Sequence, residues 1–337
     1  MENEVRATGP VAVIGTTTWG TTLAIIMARR GIEVRSLART AEEAEVLEQS
    51  RENPRLQGQS FPPSMTTTDD WKAGLDGVSA VIFGVPGWSV RENAARARPH
   101  LDHKALVICA TKGIEQGTTK RMSQLLVEEF AAEMRIAVLS GPNLAHEVVR
   151  GLPTSAVVAS EYQEVAQEAQ RLLNSTSFRV YTNTDLIGVE LGGALKNVIA
   201  IGAGIIDGMG LGDNAKAAFL TRGLAEIIRL GVAAGAQPMT FIGNAGLGDL
   251  MATAFSGLSR NHRVGIALSN GRTLEDAIES LGGEIAEGVT TSLAALEMAN
   301  GYGVEMPIVE LTSRVLFHGL SPKDALAALM VRSPTQE

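Results

Sequence analysis

Lys196 stands in Leu191-Gly192-Gly193-Ala194-Leu195-Lys196-Asn197-Val198-Ile199, a helical stretch with no other charge. Such a lysine either extends its head to water or lies in a cleft, where desolvation lowers a lysine's pKa and makes it a usable acid or base. Asn197 beside it offers an orienting amide. Lys112, in Cys109-Ala110-Thr111-Lys112-Gly113, follows the carboxyl end of an expected strand, the edge at which α/β sheets take ligands. A third cluster runs Gly246-Leu247-Gly248-Asp249-Leu250 and then Ser259-Arg260-Asn261-His262-Arg263. Asp249 suits pairing with a lysine. Ser259, Arg260 and Asn261 suit an oxyanion or phosphate clamp, with arginine supplying bidentate geometry. The same residues also fit a helix N-cap followed by a solvated basic turn.

Val11-Ala12-Val13-Ile14-Gly15-Thr16-Thr17-Thr18-Trp19-Gly20 reads as the strand, turn and helix start of a dinucleotide-binding fold. Gly15 permits the tight turn, Gly20 lets the helix pack close to the sheet, and the helix N-terminus faces the pyrophosphate. The middle glycine of the pattern is absent, and Thr17 takes its place. Taken alone, the segment also fits a strand–turn–helix that binds nothing. If a cofactor binds, Thr17 is expected to hold the loop back from the phosphates and weaken binding. The other outcome is that the Thr16–Thr18 hydroxyls replace the lost contacts. The second strand ends in Ser36-Leu37-Ala38-Arg39-Thr40, without the acid that binds ribose hydroxyls. Arg39 is placed for a 2′-phosphate, which favours NADPH over NADH, or it is an exposed arginine opening a helix.

These residues need elements to position them. The chain has 337 residues, enough for two domains, and is 45% hydrophobic and 20% charged, ordinary for a soluble globular protein and unlike a disordered one. Aromatics are 4%, so aliphatic residues and alanine carry the core. A net charge of −8 and a pI near 5.3 argue against nonspecific nucleic-acid binding. Cys109 is the single cysteine, so neither an intrachain disulfide nor a thiolate-rich metal site is expected. The histidines show no metal-ligand pairing, and no metal is expected. The start, MENEVRATGP, is acidic and polar, unlike a signal peptide. The longest apolar stretch, 197–212, is interrupted by Asp207 and is expected to be too short to span a bilayer. The expected location is cytoplasmic.

Strands are expected over 11–15, 33–37, 80–85, 105–110, 136–140, 155–160 and 179–182. Helices over 19–30 and 41–48 alternate with the first of them, and residues 54–63 form a proline-containing loop. This pattern implies a parallel sheet covered by helices on both faces. After about Asp185 strand signals fade. Helices are expected over 186–207, 214–234, 261–269, 273–281, 292–302, 307–317 and 321–330, with Thr273 and Ser321 as N-caps. The fold class is α/β, an N-terminal Rossmann-type doubly wound sheet over 1–185 with a C-terminal all-helical domain over 186–337.

Together these segments resemble the bacterial NAD(P)-dependent glycerol-3-phosphate dehydrogenase family, in order, over roughly residues 10–330. The most specific part runs from Glu190 through Lys196-Asn197 to Gly204, continues from Asp207 to Lys216 and ends at Thr221–Glu226. Asn53-Pro54-Arg55, Ala110–Gly113, Ser140-Gly141-Pro142, Ala245–Leu250, Ser259–Asn261 and Ala286–Val289 also match.

The resemblance implies interconversion of glycerol 3-phosphate and dihydroxyacetone phosphate with NADP, preferred, or NAD. It implies Lys196 as the general acid/base at the C2 oxygen and Lys112 as a second active-site lysine that polarises it. Asp249 would hold Lys196, and Thr253 would touch substrate. Ser259, Arg260 and Asn261 would bind the substrate phosphate and close towards the cofactor. Gly141 and Asn143 match substrate-contacting positions, Asn143 replacing the usual serine or threonine. Ala145, Ile285 and Glu287 match positions near the cofactor, and Thr18 and Trp19 match the turn beneath the pyrophosphate. The chain departs from the family at Thr16 and Thr17 (usually Ala-Gly), His146 (Lys), Ala254 (Cys) and His262 (Arg). The expected protein is a cytoplasmic homodimer feeding phospholipid synthesis, its active site between the domains. The alternative is a catalytically weak paralogue that binds phosphorylated metabolites or regulates. A related 3-hydroxyacid dehydrogenase would explain the two-part plan but not the Ser-Arg-Asn cluster.

Overall fold

The computed structural model describes residues 9–130 and 134–331. The acidic start, 1–8, lies outside the described residues. Among the described residues, eight strands form one sheet: β1 (Val11–Ile14), β2 (Val34–Leu37), β3 (Met65–Thr68), β4 (Ala80–Phe83), β5 (Leu106–Cys109), β6 (Arg135–Ser140), β7 (Thr154–Ala159) and β8 (Phe178–Asn183), in the order β3-β2-β1-β4-β5-β6-β7-β8. The α-helices described with them are α1 (Thr18–Ala28), α2 (Ala41–Ser50), α3 (Trp71–Leu75), α4 (Val90–Ala97), α5 (Met122–Phe130), α6 (Ala145–Val149) and α7 (Gln163–Leu173). The central strands are buried on both faces, every residue of β1, β4 and β5 included, which is why they read as continuous apolar runs.

Two features of the sheet differ from expectation. β3 falls just after the proline-containing loop, where no strand is expected. Its Met-Thr-Thr-Thr stretch is β-branched but only four residues long, and it occupies the edge of the sheet. β7 runs antiparallel to β6, with Val138 opposite Ala159. The intervening helix, α6, has five residues, about 7 Å of length against about 20 Å for a six-residue strand. It cannot carry the chain back to the start of β6, so β7 begins from the end where β6 stops.

The helical part comprises α8 (Leu186–Gly208), α9 (Gly212–Ala233), α10 (Asp249–Phe255), α11 (Arg260–Ser269), α12 (Leu274–Glu279), α13 (Glu287–Tyr302), α14 (Pro307–Phe317) and α15 (Pro322–Met330). Thr273 and Ser321 cap α12 and α15, each accepting from an amide three residues on. The short helix α10 is an addition to the expected set. α8 begins well before Asn197, so the stretch is longer than the apolar count implies. It is long and apolar enough to cross a membrane, and 89% of its most apolar window is buried inside the protein. A helix apolar on all sides is what a core position requires.

The chain divides into two compact units. Among the described residues, unit 1 holds 9–112, 121–130 and 134–189, and unit 2 holds 113–120 and 190–331. The core of unit 1 gathers Val11, Val13, Ile82, Ile108, Leu139 and Val158 from the sheet. In unit 2 Ile201, Ile205, Val264, Leu268, Leu281 and Val315 pack together. Buried Glu226 on α9 accepts hydrogen bonds from the backbone amides of Ile308 (2.7 Å) and Val309 (3.2 Å), serving the otherwise unpaired N-terminus of α14.

Candidate active site

In unit 1 the first turn is built for close approach. Gly15 has φ +103°, and a Cβ on Gly20 would lie 2.3 Å from the Gly15 carbonyl oxygen. The start of α1 therefore sits against the end of β1 at a distance only glycine allows, the geometry a pyrophosphate at a helix N-terminus needs. Thr17 does not disturb it. Its φ is −62°, so no left-handed backbone is imposed on a β-branched residue. It is the N-cap of α1: its hydroxyl accepts from the Gly20 amide at 3.0 Å and donates to the Gly84 carbonyl at 2.5 Å. The expectation that Thr17 sets the turn back by steric strain fails on this geometry. Thr18 is buried. Trp19 packs edge-on against Phe178, ring centroids 6.3 Å apart. Ala145 starts α6, and its carbonyl faces the Thr22 hydroxyl of α1 at 3.4 Å. Arg39 is exposed, two residues beyond β2.

β5 and β6 are parallel neighbours, and their carboxyl ends bring Lys112 and Gly141 together. Lys112 Nζ donates to the Gly141 carbonyl at 2.8 Å. Gly141 has φ +122°, and a Cβ there would meet the Ala156 backbone at 3.0 Å. Both polar atoms of the Asn143 side chain are buried without a hydrogen-bond partner among the described residues. An amide in that condition is costly unless a ligand completes it.

Unit 2 holds the second lysine. Lys196 lies in the middle of α8 and is 6% exposed, and Asp249 opens α10 at 1%. Lys196 Nζ is 2.9 Å from Asp249 Oδ1 and donates to Thr253 Oγ1 at 2.5 Å. Thr253, one turn along α10, also faces Asp249 Oδ1 at 3.3 Å. The approach depends on Gly192, one turn before Lys196: a Cβ there would lie 2.7 Å from the Ala245 carbonyl oxygen, in the π-helical turn that leads into α10. A lysine held this way is desolvated yet paired.

Asn197 is not directed at the lysine. Its Oδ1 accepts from Asn261 Nδ2 at 2.9 Å, and Asn261 Oδ1 accepts from the Gly288 amide at 2.9 Å. This chain ties α8, α11 and α13, a function for Asn197 and Gly288 that local sequence does not signal. Ser259 is the N-cap of α11, accepting from the His262 amide at 3.2 Å. Arg260, in the first turn, makes no hydrogen bond or ion pair among the described residues. Ile285 and Glu287 lie at the approach to and the start of α13. The first turn of α11 thus presents a partnerless guanidinium beside a positive helix end, an arrangement that can bind a phosphate.

Asp207, at the end of α8, accepts from Lys216 Nζ at 2.6 Å and meets His262 Nε2 at 2.7 Å. Burial pushes its carboxyl up, but the hydrogen bonds and charges of Lys216 and His262 prevail and hold it below the ordinary carboxylate range.

Two family patterns cover the chain. Residues 10–166 match the N-terminal part of NAD-dependent glycerol-3-phosphate dehydrogenase, and residues 185–327 match its C-terminal part. A glycerol-3-phosphate dehydrogenase (NAD(P)+) from Geobacillus thermodenitrificans is 48% identical over 330 residues, 97% of this chain and 96% of the relative. One from Dehalococcoides mccartyi is 46% identical over 331 residues, 97% and 92%. The crystal structure of glycerol-3-phosphate dehydrogenase from Coxiella burnetii superposes with a TM-score of 0.93 at 36% identity, covering 97% of this chain and 100% of that one.

Proposed function

The chain belongs to the NAD-dependent glycerol-3-phosphate dehydrogenase family, and from that premise we propose that it interconverts dihydroxyacetone phosphate and sn-glycerol 3-phosphate with NAD(P)H. The observation that carries this reading is the buried contact of Lys196 with Asp249 and Thr253. A bound nicotinamide supplies the hydride to C2 in the reductive direction and accepts it in the other. Lys196 gives a proton to the C2 oxygen as the ketone becomes an alcohol, and takes it back in reverse. Asp249 stabilises the ammonium form and fixes its position. Thr253 orients the same Nζ and contacts substrate.

Lys112 and the Gly141 and Asn143 positions bind substrate, Lys112 polarising the reacting oxygen. Ser259, Arg260 and Asn261 hold the substrate phosphate, and the partnerless guanidinium of Arg260 supports that role. Gly15, Thr17, Thr18, Trp19 and Gly20 receive the dinucleotide, with Arg39 supporting NADPH. Lys112, Ala145, Arg260, Ile285 and Glu287 complete its surroundings. The weakly catalytic binder had Thr17 as its support, and the capped, unstrained turn removes it. The acidic composition fits a cytoplasmic enzyme supplying glycerophospholipid synthesis. Met239, Ile242, Met251, Phe255 and Leu258, exposed by 48–70%, support a homodimer.

The test is oxidation of NADPH, and separately of NADH, in the presence of dihydroxyacetone phosphate. Absence of turnover with both cofactors would overturn the reading.

A further inference from the structure

The second strand ends without an acid, yet the structure brings one to that place. Glu43 is the third residue of α2, whose N-cap is Thr40. One of its carboxylate oxygens accepts from the Thr16 hydroxyl at 2.7 Å, and the other accepts from the Arg39 amide at 3.2 Å. Thr16 lies two residues beyond β1 and Arg39 two beyond β2, and these strands are parallel neighbours with Ile14 opposite Leu37. The carboxylate therefore bridges the carboxyl edge of β1 and β2. Thr16 is 6% exposed, so this anchor is a fixed one. In dinucleotide-binding sheets that edge receives the adenosine ribose.

We propose that Glu43 is a specificity-determining residue for the dinucleotide, discriminating against a 2′-phosphate and opposing Arg39. The inference rests on the dinucleotide reading above. A ribose 2′-hydroxyl can donate to the carboxylate. A 2′-phosphate presents only further negative charge and acceptor oxygens, and like charges a few ångströms apart repel. Four residues earlier, the exposed Arg39 guanidinium makes no ion pair or hydrogen bond among the described residues, and it attracts the same phosphate. The cofactor preference is the balance of these two side chains. Thr16 is the positioning residue that holds the carboxylate against the turn.

Calorimetric titration of ADP-ribose and of 2′-phospho-ADP-ribose into the full-length protein tests this without turnover. Glu43→Gln keeps the side-chain length and an acceptor but removes the charge. It should raise the affinity ratio of the phosphorylated to the unphosphorylated fragment by about tenfold at low salt. Thr16→Ala should move the ratio the same way by less, and Arg39→Ala should move it the opposite way. If both fragments bind and neither Glu43→Gln nor Thr16→Ala raises the ratio, Glu43 does not discriminate and the proposal is overturned. If neither fragment binds the wild type, the dinucleotide reading itself falls, and this inference with it.

Discussion

Lys196 and Asp249 form an ion pair of 2.9 Å with both side chains almost wholly shielded from water. The pair has two consequences that a single substitution would mix. Loss of Lys196 removes the proton donor, a contribution of about 10²–10⁴-fold. It also leaves a carboxylate buried without its partner, at a cost of about 3–5 kcal/mol. Lys196→Met should therefore be inactive and markedly less stable, although sequence alone suggests an intact fold. The double variant Lys196→Met/Asp249→Leu should recover most of the stability and none of the activity. Thermal unfolding and kcat on all the variants check this, and recovery of kcat in the double variant would remove Lys196 from the chemistry.

Arg260 differs, because nothing among the described residues holds its guanidinium. Arg260→Ala should leave the melting temperature nearly unchanged and raise KM for dihydroxyacetone phosphate strongly, since a charge-assisted contact to phosphate is lost. Dihydroxyacetone lacks the phosphate, so its weak turnover should change little. Steady-state kinetics with both substrates decide the point. An equal loss on both would assign Arg260 to the cofactor or to the fold.

Thr17 carries a prediction whose sign the structure reverses. The missing middle glycine suggests that Thr17→Gly would tighten NADPH. With Thr17 capping α1 and bonded to the Gly84 carbonyl, the glycine variant loses two hydrogen bonds of about 1 kcal/mol each and gains unfolded-state freedom. It should melt lower and bind NADPH no more tightly. Fluorescence titration and a melting curve are sufficient, and tenfold tighter binding would restore the steric account.

The residues that could be recognised in the sequence are those whose chemistry clashes with their surroundings. Lys196 is a lone charge in an apolar helix, and Lys112 follows a buried strand. Asp249 was legible as a pairing acid, though only the fold brings it, through Gly192 and the turn before α10, to that lysine. Asn197 beside Lys196 suggests an amide for that lysine, yet its Oδ1 serves Asn261, because its neighbour in sequence is not its neighbour in space. Glu43 was invisible: it lies among Glu42, Glu45 and Glu48 on a charged helix, and nothing local separates a bridging carboxylate from a solvated one. The central strands declared themselves by burial on both faces. β3 did not, because an edge strand of threonines after two prolines has the composition of a loop.

Asp207 makes the acid side of the stability curve testable. Its carboxyl is held below the unfolded value of 3.8, with the hydrogen bonds from Lys216 and His262 outweighing burial. A carboxyl whose pKa is lower in the folded state stabilises the fold fully above its unfolded pKa, and that contribution disappears as pH falls through the lower folded value. Asp207→Asn lacks the titration. The melting-temperature difference between wild type and Asp207→Asn should therefore stay level as pH falls from about 5.5 to 4.5 and shrink below pH 3.8. Lys216→Met removes the first-named partner and brings the folded value closer to the unfolded one, so in that background the narrowing should be smaller and end at a higher pH. Melting curves in steps of about half a pH unit would show it. A difference that stays constant down to the acid-unfolding limit would mean that Asp207 carries no depressed titration in the folded chain.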